Sequence, residues 1–318
     1  GFNYYKSYVN DMLTLKSLGG VSGLRNYWCN DGKMENQGFD LTAAVKAMAL
    51  KDFSWEVFAS IGHYKNKVTA LPNGDKSIYT SIYGGEVLTE IGSPLGLFYG
   101  YKTDGVFATS EEAAEADLRN GGQGGRVFRA GDIRFVDLQP DGVINNDDKT
   151  VIGDPNPDIF GNFGTSFHYK NWTLDAFFSY SLGNDIYNYQ RSVLEGGRGY
   201  FNQTTALLNR WTAEGQATDI PRAENGDPMG NARFSDRWIE DGSYMKLKTL
   251  SLSYRFPFNL TFLQGITVWA AANNVFTCTK YLGGDPELSM SGNPVYQGID
   301  RGLLGHGRSF VLGVKINL

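Results

Sequence analysis

The sequence has few of the residues that build most catalytic and metal centres. Its 318 residues include 3 histidines and 2 cysteines. His63, His168 and His306 fall on separate predicted strands without the spacing of a metal site. Cys29 and Cys278 give no disulfide framework. A Gly-x-Ser-x-Gly nucleophile motif is also missing, so we expect the chain not to be an enzyme.

Long apolar runs and an excess of basic residues are missing too. No segment approaches the roughly 18 apolar residues that a membrane-spanning helix requires, which excludes helical membrane proteins. Lys and Arg number 29 against 34 Asp and Glu and are scattered, which argues against binding of nucleic acid. The chain opens at Gly1 without a signal peptide, so we interpret it as a mature protein or a fragment.

Glycine and aromatic residues, in contrast, are abundant, with 40 Gly, 18 Tyr, 20 Phe and 6 Trp. This composition is typical of many strands joined by tight turns, with belts of aromatic side chains. A strand crosses a membrane in about 10 residues, and half of them face an aqueous interior. An outer-membrane β-barrel can therefore be hydrophilic on average, as this chain is.

The last ten residues alternate strictly between apolar and polar side chains. Successive side chains of a strand point to opposite faces, so the two sets separate. The apolar set is Phe310, Leu312, Val314, Ile316 and Leu318, and the polar set is Ser309, Gly313, Lys315 and Asn317. The apolar face would lie on a core in a soluble sheet and on lipid in a membrane barrel, so this segment leaves the choice open.

The same alternation, with very short connections, predicts four β-hairpins. The paired segments are 39–50 with 53–61, 86–92 with 95–101, 160–169 with 172–182, and 249–256 with 266–272. Just before the last pair, the apolar alternation changes phase between Leu247 and Leu250. A β-bulge there, or an upper half that stands clear of a bilayer, would explain the change.

Long irregular stretches separate these hairpins. They are residues 10–32, 69–77, 107–157, 187–238 and 276–305. A compact soluble sandwich has no reason to keep all its long loops at one end, whereas an outer-membrane barrel has short periplasmic turns and long external loops. We therefore predict an all-β fold, with about ten strands of an antiparallel transmembrane β-barrel.

Aromatic residues gather at three of the predicted short turns. They are Phe53, Trp55, Tyr169, Trp172, Phe256, Phe258 and Phe262. The interfacial belt of a membrane barrel would have this placement. Cross-strand aromatic pairs in a soluble sheet are the alternative.

Two local motifs lie in the stretch 107–157. The first is a short helix at 109–120, with Thr109 or Ser110 as its N-cap and Glu112 nearby.

The second is a loop with the spacing of an EF-hand-type calcium site, in which Gly142 supplies the sharp turn. The predicted ligands of Ca²⁺ or Mg²⁺ are Asp137, Gln139, Asp141, the Val143 carbonyl, Asn145 and Asp148. We expect such an ion to brace the loop, and an Asx-rich turn that is stable without metal is the alternative.

Several segments resemble the SusC-like (RagA-like) TonB-dependent transporters of the Bacteroidetes outer membrane. The resemblance covers essentially the whole chain and is most specific at residues 131–167, 208–214, 237–257 and 273–287. The terminal Gly-Val-Lys-Ile-Asn-Leu is similar to the end-of-barrel signal by which such strands are recognised for membrane insertion. It ends on Leu318, where family members usually carry an aromatic residue.

The resemblance implies a 22-stranded barrel in the bacterial outer membrane, normally preceded in the same polypeptide by a plug domain and a TonB box. Residues 1–318 would be the C-terminal portion of that barrel, without plug or TonB box. About ten strands cannot close so wide a barrel, and unpaired strand edges are costly in lipid. We therefore expect a fragment, or half of a split protein, completed by another polypeptide with the plug and the remaining strands.

The resemblance also implies a function, namely TonB-dependent active import of a nutrient, either an oligosaccharide or an oligopeptide. In such transporters a SusD-like lipoprotein covers the outside like a lid, and TonB supplies the force that opens the plug. A passive porin-type channel, which needs neither plug nor energy, is the alternative.

Substrate contacts are expected from the loops at 187–238 and 276–305. Aromatic side chains stack on sugar rings or peptide side chains, and arginines add polar contacts. The candidates are Tyr187, Tyr189, Tyr200, Phe201 and Trp211, with Arg191, Arg198 and Arg210. For each of them, packing of loop on loop or contact with the lipoprotein is the alternative.

Overall fold

The structure, a computed structural model, describes residues 1–17, 26–121, 125–257, 265–290 and 292–317. Phe258, Phe262 and Leu318, which figure in the sequence predictions, lie outside these ranges. The strands are β1 (Phe2–Ser17), β2 (Asn26–Ala49), β3 (Phe53–Ala70), β4 (Ser77–Ile82), β5 (Gly85–Glu90), β6 (Leu97–Tyr101), β7 (Thr103–Val106), β8 (Arg119–Asn120), β9 (Arg126–Val127), β10 (Ile133–Phe135), β11 (Val143–Ile144), β12 (Lys149–Gly153), β13 (Ile159–Tyr169), β14 (Trp172–Leu182), β15 (Asp185–Asn188), β16 (Ile239–Asp241), β17 (Tyr244–Phe256), β18 (Gly265–Thr279), β19 (Ile299–Asp300) and β20 (Ser309–Asn317). The α-helices are α1 (Ser110–Ala116) and α2 (Tyr189–Leu194).

The largest sheet, which we call the wall sheet, has eight strands in the described ranges, in the order β1-β2-β3-β13-β14-β17-β18-β20. Every neighbouring pair is antiparallel. Short links at 50–52 and 170–171 join neighbours at one end, whereas long links at 71–158, 183–243 and 280–308 join them at the other. The predicted alternation of short and long connections is confirmed.

The register of the wall sheet separates an apolar face from a polar face. One row of cross-strand partners is Met48, Trp55, Phe167, Leu174, Leu252, Ala270 and Leu312, and it defines the apolar face. The neighbouring row on the opposite face is Lys46, Glu56, Ser166, Asp175, Ser251, Ala271 and Val311, and it defines the polar face. The apolar alternation predicted for three of the hairpins and for the last strand thus extends across the sheet from β2 to β20.

Hydrogen bonds connect the side chains of the polar face. Asp175 accepts from Ser166 Oγ at 2.5 Å and from Ser251 Oγ at 3.3 Å, across three neighbouring strands. Lys46 Nζ lies 3.4 Å from Glu56 Oε1. These groups satisfy one another, an arrangement that suits the polar interior of a large barrel.

A β-bulge lies where the sequence predicts one. Lys248 of β17 is the extra residue, because Leu247 pairs with Phe178 and Thr249 pairs with Phe177. The bulge shifts the phase by one residue, so Leu247 and Leu250 both stay on the apolar face. The bulge therefore accounts for the change of phase, without an upper half that stands clear of a bilayer.

The second predicted hairpin forms but does not belong to the wall sheet. β5 and β6 pair as expected, in a separate four-stranded sheet of order β12-β6-β5-β4. The wall sheet consequently has eight strands in the described part of the chain instead of about ten. The expected irregular stretch 10–32 is also largely strand, since β1 reaches Ser17 and β2 begins at Asn26.

Aromatic side chains do cluster at the end with short links. The Trp172 and Tyr254 ring centroids lie 4.6 Å apart, and Tyr254 and Phe256 are also 4.6 Å apart. Trp55 Nε1 donates to Thr165 Oγ1 at 2.7 Å, so its polar end is satisfied. Amphipathic rings with a paired polar end suit a boundary between lipid and water.

The long links fold into small cores of their own at the other end. The largest fully buried side chains include Trp238, Tyr187 and Phe98, which lie in one cluster with Ile299. The predicted helix is present as α1, whose N-cap Thr109 accepts from the Glu112 N–H at 3.2 Å. It ends at Ala116, before residue 120, because Asp117 turns to a left-handed φ of 43°. Neither α1 nor α2, the α-helices of the described ranges, has the length and apolar character to cross a membrane.

An ionic cluster, which we call the Lys246 cluster, joins the last long link to the wall sheet. Lys246, on the polar face of β17, is 2% exposed, and its Nζ lies 2.9 Å from Asp285 Oδ2 and 2.7 Å from Glu287 Oε2. The bulge brings Lys248 Nζ to 2.6 Å from the same Glu287 carboxylate. His306 Nδ1 lies 3.1 Å from Asp285 Oδ2. Residues just after β18 and just before β20 are thus fixed to one point of the sheet.

Hydrogen bonds keep the Asp285 carboxylate of this cluster charged. Burial alone would raise the pKa of Asp285, but hydrogen bonds from Lys246 and from the N–H groups of Glu287 and His306 outweigh burial and lower that pKa to about 2. The carboxylate therefore contributes stability that is present above its ordinary pKa of 3.8 and is lost as the pH falls from there to about 2. The last long link is held by charge pairs throughout the neutral range.

Substitutions at neighbouring positions of β17 test the two faces. Leu252 lies on the apolar face and Ser251 on the polar face. In the complete protein, refolded into phospholipid vesicles, Leu252→Lys should lower the free energy of unfolding by about 2–4 kcal/mol, the cost of a lysine in lipid near the bilayer midplane. Ser251→Lys should cost about 1 kcal/mol or less, because its side chain faces water and loses only the hydrogen bond to Asp175. Equal losses in denaturant titrations would contradict the assignment of the faces.

A second pair of substitutions tests the Lys246 cluster. Lys246→Met leaves Asp285 without its buried cation, which costs about 3–5 kcal/mol for a broken buried pair. Lys248→Met leaves Glu287 paired with Lys246 and should cost about 1 kcal/mol or less. Amide hydrogen exchange over residues 281–306 should therefore accelerate strongly in the first variant and little in the second. Similar exchange in both variants would show that the cluster does not anchor the link.

Candidate functional site

The four-stranded sheet at the end with long links has two unlike faces. On one face, Phe98 is fully buried in a core. The pairing of β4, β5, β6 and β12 places Tyr79, Glu86, Tyr99 and Lys149 together on the other face. Aromatic and charged side chains at alternate positions therefore leave one side of this sheet open to a ligand.

An open cavity of about 850 Å³, which we call the tyrosine cavity, lies on that side. Tyr79, Glu86, Tyr99 and Lys149 line it from the sheet. The Tyr79 and Tyr99 ring centroids lie 5.0 Å apart, with their planes tilted by 52°. Lys149 Nζ lies 2.8 Å from Glu86 Oε2. The cavity combines ring surface with charge, which is typical of sites for polar organic ligands.

The pKa of Tyr99 reports the surroundings of this cavity. Burial, followed by the neighbouring Tyr79 and by the carboxylates of Glu86 and Glu90, raises the pKa of Tyr99 to about 12. The phenol therefore keeps its proton at neutral pH and can act as a hydrogen-bond donor.

The loop predicted to bind a cation forms the opposite side of the tyrosine cavity. Gln139, Asp141, Asn146 and Asp147 line the cavity from this loop. One edge of the predicted cation site thus adjoins a space large enough for a small organic ligand.

Backbone N–H groups of the loop bind most of the predicted ligand oxygens. Asp137 Oδ2 accepts from Gly142 N at 2.8 Å, and Gly142 itself has a φ of 75°. Asp141 Oδ1 accepts from Val143 N at 2.8 Å. Asn145 Oδ1 accepts from Asp147 N at 2.7 Å. The last two bonds are Asx-type turns and the first spans the sharp turn at Gly142, so the loop is braced by its own side chains.

Asp148, the last predicted ligand, is fully buried and accepts three backbone hydrogen bonds. Their donors are the N–H groups of Leu138 at 2.9 Å, Gln139 at 3.1 Å and Asn145 at 2.8 Å. In contrast, Asp137 Oδ1 is buried without a hydrogen-bond partner among the described residues. Asp137 Oδ1 could therefore still bind a cation, whereas both Asp148 oxygens already accept hydrogen bonds.

Within the described ranges, three acidic or histidine ligand atoms converge at Asp285, Glu287 and His306, and not in this loop. The Lys246 ammonium already lies between the two carboxylates there, so the group is an ion-pair cluster. A cation in the 137–148 loop stays a prediction.

Three residues predicted to contact substrate pack inside the protein. Tyr187 is 2% exposed, and its hydroxyl donates to Tyr83 O at 2.9 Å. Arg191 is held by Glu195 at 2.8 Å and Glu240 at 2.7 Å. Trp211 is half-buried, and its Nε1 donates to a backbone carbonyl at 3.0 Å. Tyr187 is thus a core residue that offers no surface to a ligand, and the contacts of the other two are packing of loop on loop.

Other members of that predicted set are more accessible. Tyr200 is 91% and Phe201 78% exposed, and Arg198 beside them is exposed. Tyr189 is half-buried with its ring 4.9 Å from that of Tyr83. Arg210 is also half-buried, and its Nη1 donates to a backbone carbonyl at 3.0 Å. The structure therefore leaves Arg198, Tyr200 and Phe201 available for contact with a ligand or partner.

Sequence reasoning missed the tyrosine cavity. The hairpin of β5 and β6 was predicted to belong to the barrel, so no separate sheet was expected there. Glu86 and Glu90 lie on one side of β5, with Leu88 between them, and this pattern was the available signal. It also fits the polar face of a barrel, so it could not reveal a separate sheet.

No family model matches the chain. TonB-dependent receptor P3 of Formosa agariphila is 31% identical over 99% of this chain. TonB-dependent receptor P26 of the same organism is 28% identical over 99%, and TonB-dependent receptor SusC of Bacteroides thetaiotaomicron is 26% identical over 90%. The chain spans 32% of the length of P3 and P26 and 27% of SusC, so it matches about one third of these relatives.

Solved structures share the fold. A chain in the structure of the RagAB peptide transporter matches with a TM-score of 0.78 and 24% identity, over 99% of this chain and 33% of that chain. The "open-open" state of the RagAB peptide importer matches with a TM-score of 0.77, over 100% and 32%. The chain is therefore homologous, over nearly its whole length, to a segment of TonB-dependent receptors that include SusC, and it has the fold of part of a transmembrane antiparallel β-barrel.

Proposed function

We propose that the chain is the barrel part of a transporter that imports a nutrient across the outer membrane with energy from TonB, and that it is not an enzyme. The nutrient would be an oligosaccharide or an oligopeptide. The observation that carries the proposal is the similarity of nearly the whole chain to TonB-dependent receptors. The two-faced wall sheet supports it, since such a sheet suits a barrel with lipid outside and water inside.

Membrane lipid is the proposed surrounding of the apolar face. On β20, Leu312 is 77%, Val314 61% and Ile316 58% exposed in this chain. A contiguous apolar row of this kind on a soluble protein would drive association. The bacterial outer membrane is the surrounding that lets these side chains stay uncovered by protein.

The proposed protein partners are the remaining barrel strands with the plug, a SusD-like lipoprotein and TonB. The edge strands β1 and β20 each have one paired neighbour in the described part of the sheet, which leaves backbone groups for further strands. Tyr200, Phe201 and Leu304 are 91%, 78% and 96% exposed on the long links. Exposed aromatic and apolar side chains at that end suit contact with a lid-like lipoprotein or with substrate.

Uptake by cells that produce the complete transporter tests the function. The cells are offered tritium-labelled mixtures of malto-oligosaccharides or of tripeptides. We expect TonB-dependent uptake of one mixture, because an energy-driven plug must open for each passage. Uptake that persists after deletion of TonB would instead support the passive porin and overturn the proposal.

Variants within the chain refine the same assay. Tyr200→Ala combined with Phe201→Ala should lower uptake about 5- to 30-fold, since exposed aromatic contacts are worth about 1–2 kcal/mol at interfaces. Leu208, on a neighbouring turn, is 76% exposed, and Leu208→Ala is the matched control with unchanged uptake. If all the substitutions reduced uptake equally, the aromatic pair would have no specific role.

We also propose that the 137–148 loop binds a structural Ca²⁺ or Mg²⁺. Asp137, Gln139, Asp141, the Val143 carbonyl, Asn145 and Asp148 would be its ligands. The oxygen-rich spacing and the buried, unpartnered Asp137 Oδ1 support the proposal. The ion would link the two sides of the loop that its Asx turns already shape.

Calorimetric titration of the chelator-treated complete protein tests this site. Either Ca²⁺ or Mg²⁺ should give heat for one ion per chain, and Asp137→Asn should abolish it by removing a ligand charge. Asp75→Asn, an exposed carboxylate outside the loop, should leave the heat unchanged. Absence of heat with both ions would remove the site.

A further inference from the structure

The tyrosine cavity is lined by more negative than positive charge. Glu86, Asp141 and Asp147 face it, against Lys149. The Lys149 ammonium is already held by Glu86 at 2.8 Å. Asp141 is a proposed ligand of the loop cation, whereas Asp147 has no ion pair within the described part of the chain. The Asp147 carboxylate at the cavity is therefore uncompensated.

Two tyrosine rings lie beside these carboxylates. Tyr79 is 51% exposed, and its ring centroid lies 5.0 Å from that of Tyr99. A cationic nitrogen is attracted by the face of an aromatic ring and, more strongly, by a nearby carboxylate. Rings alone would suit a neutral sugar, so the uncompensated Asp147 carboxylate is the feature that favours a cationic ligand.

We propose that the tyrosine cavity binds an ammonium or guanidinium group carried by the imported ligand. Asp147 would be the charged partner, and Tyr79 and Tyr99 would supply the ring surface. This inference rests on the proposed import function. It narrows the imported ligand to molecules with an organic cation, which basic oligopeptides and amino sugars share.

The behaviour of Tyr99 agrees with this assignment. After burial and the neighbouring Tyr79, the carboxylates of Glu86 and Glu90 contribute to its raised pKa of about 12. They do so because a negative field disfavours the phenolate. The same field favours a positive charge placed against the ring.

The binding test uses two matched pairs of probes on the purified complete transporter in detergent. The first pair is N-acetylated Ala-Arg-Ala amide and the same peptide with neutral citrulline in place of arginine. The second pair is the glucosamine trimer and its neutral N-acetylated form. We expect the cationic member of at least one pair to bind at least about 10-fold tighter than its neutral partner, and the pair that shows this preference identifies the carrier.

The variant Asp147→Asn removes the proposed charged partner, keeps the ion pair of Lys149 with Glu86 and leaves the Asp141 turn intact. The preference for the cation should fall about 2- to 5-fold, as expected for one partly exposed charge contact. The variant Glu115→Gln, on the exposed side of α1, makes the same charge change away from the cavity and should keep the preference. Tyr79→Ala should weaken binding of the cationic probe with all the charges retained.

Equal affinity for both members of each pair in the unaltered protein would overturn the inference. An unchanged preference in Asp147→Asn would also overturn it, since the cation would then be bound elsewhere. Because binding is measured without transport, failure of the cation site and failure of active import give different results. If the preference for the cation depends on Asp147 and uptake persists after deletion of TonB, the cation site is supported and active import is contradicted.

Discussion

The structure depends on a single constraint, which is that the strands of the wall sheet must pair their backbones with each other while their side chains meet two different surroundings. In lipid, an unpaired N–H or C=O costs several kcal/mol, so the ladder has to be continuous from strand to strand. Because side chains alternate, each ladder position assigns one residue to each surrounding. The row through Trp55, Phe167, Leu174, Leu252 and Leu312 and the polar row beside it follow from this one requirement.

The long links solve a different problem, because ordering them costs conformational entropy that only burial of their own apolar side chains can offset. They form small sheets and cores of their own, around side chains such as Trp238 and Phe98. The Lys246 cluster then fixes the last link to the polar face, with a bulge that brings two lysines to one carboxylate. The tyrosine cavity has a defined shape because the four-stranded sheet forms one side of it and the hydrogen-bonded 137–148 loop forms the other.

Local rules were enough to predict three of the wall hairpins, the bulge at Lys248 and the cap of α1. Each is decided by residues within a few positions of one another, through alternation or capping. The membership of β5 and β6 in a separate sheet was not predictable, because an alternating hairpin looks the same in a barrel and in a loop domain. The burial of Tyr187 depends on Phe234 and on the Tyr83 carbonyl, far away in sequence, and no local pattern announces such partners. Candidate site residues on long links were therefore predicted less well than strands.

The most direct measurement of the central claim is the accessibility of single spin labels along β20, in the complete protein reconstituted in lipid vesicles. Labels are placed one at a time from Val311 to Ile316 and are relaxed by oxygen, which concentrates in lipid, or by a water-soluble nickel complex. The account predicts a period of two residues, with oxygen dominant at Leu312, Val314 and Ile316 and nickel dominant at the positions between them. Labels at the apolar positions that were shielded from both agents would show that protein covers this face, and would contradict the account.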